Sequence, residues 1–250
     1  TNGSNIYKDF IPSEDSTVIR RLKDAGSILL GKLNLSELAM GGTQNPPWGI
    51  PANPWNFDCT PGESSSGSGV ALAVQLCAAS MGEDTGGSGR GPAAYCGVVG
   101  LRPTFTRVSR FGMTHMCWFM DAAAPMTKTV EDCALMLGVI AGYDEKDPYT
   151  SHKPVPDYTT KMRDGVKGLR VGLIKELHQT SDMHPNVRTA IENSLETFRE
   201  LGAEIKDVSI PLAELAGAIF VGVADTEGAG ARDEILRNQP RDLDQASRTR

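Results

Sequence analysis

Two glycine-rich stretches carry the residues best suited to chemistry. The first reads Pro61-Gly62-Glu63-Ser64-Ser65-Ser66-Gly67-Ser68-Gly69, and the second Gly82-Glu83-Asp84-Thr85-Gly86-Gly87-Ser88-Gly89-Arg90-Gly91. Glycine frees a backbone to take positive φ and to approach another molecule closely. A serine placed after Gly86-Gly87 can hold its hydroxyl beside several consecutive backbone N–H groups. Such groups stabilise the negative oxygen that forms when a carbonyl carbon is attacked. Serine alone is a weak nucleophile, and a hydroxyl of the Ser64-Ser65-Ser66 run can relay its proton to a base. Each stretch also has a plain structural reading. Gly86-Gly87-Ser88 can be a tight turn with a solvated hydroxyl, and the serine run can cap a helix beginning near Val70.

Other candidates carry less. Gly26-x-x-x-x-Gly31-Lys32 has the outline of a phosphate loop, but Leu33 stands where Ser or Thr is needed, and Ser27-Ile28-Leu29-Leu30 reads as a buried strand. His115, His152, His178 and His184 lack metal-ligand or dyad spacing, and neither H-E-x-x-H nor G-x-S-x-G occurs. Cys96, between Tyr95 and Gly97, reads as a packed structural thiol.

The elements that must position the serines follow from patterning. Asp15-Ser16-Thr17 caps a helix over Val18–Ala25, closed by Gly26. Asn34–Met40 reads as a further helical turn, and Gly41–Pro61 as a long ordered loop. The apolar run Val70–Ser80 reads as a buried helix that holds the two serine turns rigid. Ala93–Gly100 reads as a short helix feeding a strand. Thr129 opens a helix through Ile140, ended by Gly142. Leu169–Ile174 and Ala203–Val208 read as strands flanking an amphipathic helix over Asp182–Leu201, with Val187, Ile191, Leu195 and Phe198 on one face. An Ala-rich helical region runs to Arg237, and Asn238–Arg250 is charged and weakly patterned. This alternation predicts an α/β fold whose mixed, partly parallel sheet is covered by helices on both faces. One domain is expected: a core over 1–142, a connector over 143–168 and a further α/β portion over 169–250.

The 250 residues have a formal net charge of −6 and 40% apolar composition. No basic block is present, so nucleic acid is not an expected partner, and no run is long enough to span a membrane. The five cysteines are odd in number and scattered, which suits reduced thiols in a cytoplasmic protein. A small-molecule partner is expected, a homo-oligomer is compatible, and neither metal nor organic cofactor is called for. The chain opens at Thr1 without methionine and closes on Ser-Arg-Thr-Arg, as a piece of a longer protein would.

Several motifs resemble the amidase signature family, in order and at matching separation. They are Gly31-Lys32-Leu33-Asn34, Asn53-Pro54-Trp55, Pro61 to Ser68, Asp84 to Arg90, Cys96 to Thr104, and Ala124-Pro125-Met126-Thr127 with Val130-Glu131-Asp132. The resemblance covers about Thr1 to Leu201. It implies hydrolysis of a carboxylic amide, or of an ester, through a serine acyl-enzyme. Ser88 corresponds to the nucleophile and Ser64 to a bridging serine beside a cis peptide bond. The N–H groups of Thr85, Gly86, Gly87 and Ser88 correspond to the oxyanion hole, and Asp84 and Arg90 to residues that brace the loop. The resemblance also admits two other roles, a non-catalytic amidase-like scaffold and a glutamine-hydrolysing amidotransferase subunit. The family's catalytic lysine belongs to a strand ahead of anything matching Thr1. Lys8 and Lys32 are the substitutes to weigh. Further departures are Glu63 and Ser66 at family glycines, Gly89 where the family has Ile, Ala124 where it has Gly, and the bulky Cys117-Trp118-Phe119-Met120.

Overall fold

The computed structural model describes residues 1–40, 48–178, 180 and 182–249. Residues 41–47 of the expected Gly41–Pro61 loop therefore lie outside the described residues. The chain forms two compact units, residues 1–159 with 223–250, and residues 160–222. The first holds both serine stretches.

In the first unit, helix α1 (Thr17–Asp24) begins where Ser16 Oγ accepts from the Ile19 N–H at 3.3 Å. A 3-10 turn covers Glu37–Ala39. Helix α2 (Ser66–Ala73) leads to strand β1 (Ala79–Glu83), and helix α3 (Arg90–Cys96) to the two-residue strand β2 (Val99–Gly100). Strand β3 (Ala123–Thr127) precedes helix α4 (Val130–Ile140). The three strands form an antiparallel sheet in the order β1-β3-β2, with Gly82 opposite Ala124. Alternation along β3 sends successive side chains to opposite faces. Ala123 joins Val18, Val108, Leu137 and Ile140 in one core, beneath α1 and α4. Met126 joins Leu72 and Ala93 in another, beneath α2 and α3. Helices thus cover both faces of this sheet.

In the second unit, β4 (Arg170–Ile174) pairs in parallel with β5 (Glu204–Val208). The crossover that a parallel pair requires contains α5 (Lys175–His178) and α6 (Pro185–Glu200). A 3-10 turn (Pro211–Leu215) precedes α7 (Ala216–Ala231), which is followed by α8 (Asp233–Asn238), a turn over Pro240–Asp242 and α9 (Gln245–Thr249). The two sheets, one antiparallel and one parallel, make the protein a mixed α/β structure.

Three expectations fail. Ser27–Leu30 is neither a strand nor buried: Ile28 is 84% exposed and Leu30 73%, because no described strand pairs with the segment. The helix expected over Val70–Ser80 stops at Ala73, Gln75 takes φ +63°, and the chain turns into β1. The tail is not loose. The Asp244 N–H donates to Glu37 Oε2 at 2.7 Å, and Leu243 and Ser247 are buried. Charge alone hid that docking, since the buried Glu37 is an acceptor 207 residues away.

Candidate active site

The end of β1 and the start of α3 are joined by residues 84–89. Asp84 prolongs the ladder, its N–H donating to Ala122 O at 2.8 Å. Its carboxylate is fully buried and accepts from Gly89 N–H (3.3 Å), Arg90 N–H (3.1 Å), and Arg90 Nε and Nη2 (both 2.9 Å). Arg102 donates to Asp84 O and to Met120 O. Burial by itself would raise the Asp84 pKa. The Arg90 hydrogen bonds and the Arg90 and Arg102 charges outweigh it and hold the carboxyl below its ordinary value. Both ends of the turn are thereby fixed to one anion.

Within the turn, Gly87 has φ +134°, a region that side chains rarely enter. Its carbonyl accepts from the Gly91 N–H at 2.6 Å. Ser88 is half-buried, and its carbonyl accepts from the Ser65 N–H at 3.3 Å. That bond clasps the first serine stretch to the second. Ser64 is 2% exposed, follows a cis peptide bond from Glu63, and accepts from the Ser36 N–H at 3.1 Å. Ser65 Oγ accepts from Glu83 N–H at 3.1 Å, and Ser68 Oγ donates to Met81 O at 2.9 Å. The serine run thus seats its helix on the free edge of β1. Among the described residues, no hydrogen bond joins the Ser64 and Ser88 hydroxyls.

The departures from the family pattern are accommodated locally. Glu63 projects into solvent. Cys117 is buried, and its thiol is pushed up to about 11 by burial and by Glu227, whose Oε2 lies 3.2 Å from the sulfur. Cys96 is also buried, with its pKa raised by desolvation, as suits a packed thiol. Lys8 and Lys32 are both exposed, whereas a lysine acting as a base needs burial.

Four residues beside the loop escaped the sequence reading as members of a group. Asp121 is fully buried and accepts from Met116 and Cys117 N–H groups (2.9 Å each) and from Thr85 Oγ1 (2.6 Å). His115 Nδ1 lies 3.3 Å from Asp121 Oδ2. Glu83 meets Thr85 from the strand side, and Arg102 holds the loop backbone. The one available signal was Asp121 itself, a lone acid in the apolar run Cys117–Met126.

A fixed glycine turn with a serine at its tip, clasped to a second serine run, is the arrangement of a serine-based amide-cleaving family. The chain belongs to that family, the amidases, whose family model matches residues 1–249. Among curated proteins it is similar to the amidase-type subunits of glutamyl-tRNA(Gln) amidotransferases. It is 45% identical to that of Syntrophobacter fumaroxidans over 92% of this chain and 47% of the relative. It is 46% identical to that of Geobacter sulfurreducens over the same shares. Among solved structures, the corresponding Thermotoga maritima protein has a TM-score of 0.87 at 34% identity, over 95% of this chain and 54% of that one. The peptide amidase of Stenotrophomonas maltophilia has a TM-score of 0.80 at 33% identity, over 94% and 50%. The chain spans about half the length of the curated relatives it matches. Among the described residues, no helix is long and apolar enough to cross a membrane.

Proposed function

We propose that this chain carries the nucleophile of an amide hydrolase. Ser88 Oγ bonds to the carbonyl carbon of a carboxamide while its proton passes to Ser64, which hands its own proton to a base. The N–H groups of Thr85, Gly86, Gly87 and Ser88 hold the oxygen that becomes negative. The carbon–nitrogen bond then breaks, the leaving amine takes up the proton, and water releases the acid from the acyl-serine. Asp84 and Arg90 keep the loop in shape. The final base is a buried lysine, which the family resemblance places in a strand ahead of the position matching Thr1.

The observation that carries this reading is the Ser65-to-Ser88 backbone bond, which puts the two serine stretches side by side. An aryl ester would enter the same chemistry. The test is Ser88→Ala in the whole protein. Amide turnover should fall to background, and a fluorophosphonate probe should label Ser88 stoichiometrically in the unsubstituted protein only. Wild-type turnover in the variant would remove Ser88 from its role. Absence of labelling together with absence of turnover would favour a binding scaffold.

The curated relatives favour a particular substrate and setting. Eight of them bear the name of an amidotransferase subunit. On that reading the carboxamide is glutamine, the product is ammonia, and the chain works beside partner subunits. Ammonia release from glutamine at a rate well above that from simple aryl amides would support it. The five free cysteines fit a reducing, cytoplasmic setting.

A further inference from the structure

Thr85 Oγ1 lies 2.5 Å from Glu83 Oε1 and 2.6 Å from Asp121 Oδ1. A hydroxyl owns one proton and can donate it once. Two short contacts with carboxyl oxygens therefore need a second proton, carried by one of the carboxyl groups. Asp121 is the wrong candidate. Two backbone N–H groups and His115 already point at its oxygens, and such donors favour the ionised form. The Glu83 carboxyl has only Thr85 and Asp121 as hydrogen-bonding partners among the described residues. Its side chain also lines a cavity of about 270 Å³ walled by Val18, Leu38, Met81 and Met113, where a charge would be poorly solvated.

We propose that Glu83 is a protonated carboxylic acid that positions Thr85. Its O–H donates to Thr85 Oγ1, the Thr85 O–H donates to Asp121 Oδ1, and the two bonds fix the first residue of the oxyanion loop. The inference rests on the reading of residues 85–88 given above. Desolvation, with the Asp121 charge second, pushes Glu83 up to about 8. Burial would raise Asp121 as well, but its hydrogen bonds from His115, Thr85, Cys117 and Met116 hold it low.

The charged groups around Glu83 are Asp121, Asp84 and Arg232. His115 faces Asp121, and Arg90 and Arg102 are engaged by Asp84. Arg232 gives its hydrogen bonds to Gly228 O and Leu38 O, so none reaches Glu83. When Glu83 ionises, Thr85 is left with one proton between two anions, and the loop loses a fixed point.

The test begins with infrared spectra of the whole protein carrying isotope-labelled glutamate. A carboxylic-acid band at pH 6 that fades as pH rises through about 8, and is missing in Glu83→Gln, would support the proposal. No such band at pH 6 would overturn it. This readout needs no turnover, so it stands apart from any failure of the hydrolase reading. In an active preparation, kcat should fall about tenfold per pH unit above the Glu83 transition. Glu83→Gln, a neutral donor of similar shape, should abolish that limb, and an unaltered limb would count against the role. Glu83→Ala should lower kcat by about tenfold with little change in KM, as expected for a loosened oxyanion donor. Recovery in Glu83→Gln but not in Glu83→Ala marks positioning rather than bulk packing; equal loss in both overturns the proposal.

Discussion

A methyl group on residue 89 would sit 2.6 Å from Ala124 Cβ and 3.4 Å from Asp84 Cβ. The first distance is too short for two carbon atoms, and Ala124, fully buried in β3, has no rotamer with which to yield. Gly89 and Ala124 are both departures from the resembled family, which carries Ile at the first position and Gly at the second. Their proximity makes them one change rather than two: the Ala124 methyl occupies the space that a side chain on residue 89 would take. The consequence is local to the loop, since the Gly89 N–H is one of the donors to Asp84. Gly89→Ala alone should cost about 1–3 kcal/mol in urea unfolding, the usual penalty for overpacking. Adding Ala124→Gly should return most of it. A double-mutant cycle with no coupling beyond about 0.5 kcal/mol would show that the two positions do not compete for the same space.

Helix α4 shows how far local signals reach. Thr129 Oγ1 accepts from the Asp132 N–H at 3.1 Å, which satisfies one N–H at the start of the helix, while Leu137 and Ile140 bury its inner face. Thr129→Ala should therefore cost about 1 kcal/mol, read as a lower urea midpoint with an unchanged slope. An unchanged midpoint would mean that packing alone sets where α4 begins. The same kinds of signal, caps and helical periodicity, made α1, α4 and α6 legible, and β4 and β5 showed as short apolar runs. Strands β1 and β3 left no such trace. Their residues, Ala79-Ser80-Met81-Gly82-Glu83 and Ala123-Ala124-Pro125-Met126-Thr127, are small or poor strand formers held by neighbours rather than by propensity. Pro125 survives in the middle strand because its carbonyl accepts from Leu101 N–H, and its missing N–H falls on the side of the two-residue β2. Ile28-Leu29-Leu30 erred the other way, since a good strand composition pairs with nothing among the described residues. At the site, the serines and glycines could be found by spacing. Glu83, His115 and Asp121 could not, because the Thr85–Asp121 contact closes across 36 residues with no motif to announce it.

The response of the whole molecule to pH follows from two sets of carboxyl groups with opposite signs. In Asp84, Asp121 and Asp144, burial is outweighed by hydrogen bonds and nearby cations, so each folded pKa lies below the ordinary value. Asp144 is held by Thr17 Oγ1 at 2.5 Å and Ser109 Oγ at 2.6 Å, tying α1 to the segment after α4. Stability from such groups is fully present above about pH 3.9, their unfolded pKa, and is lost as pH falls through the lower folded values. Glu83 works the other way, since its folded value is raised to about 8. Its contribution is full below about pH 4.3 and declines as pH rises, because the unfolded chain ionises first. The decline ends once pH passes the folded value and both states are charged. The thermal midpoint should therefore peak on the mildly acidic side and fall steadily toward pH 8. In Glu83→Gln the alkaline slope should flatten and the peak should move toward neutrality. Asp144→Asn should instead lower the midpoint at neutral pH and converge on the parent protein in acid, as the parent's own Asp144 becomes protonated. A parent protein whose midpoint rises from pH 5 to pH 8, with a parallel curve for Glu83→Gln, would show that Glu83 is already ionised in the fold and that Thr85 is held by something else.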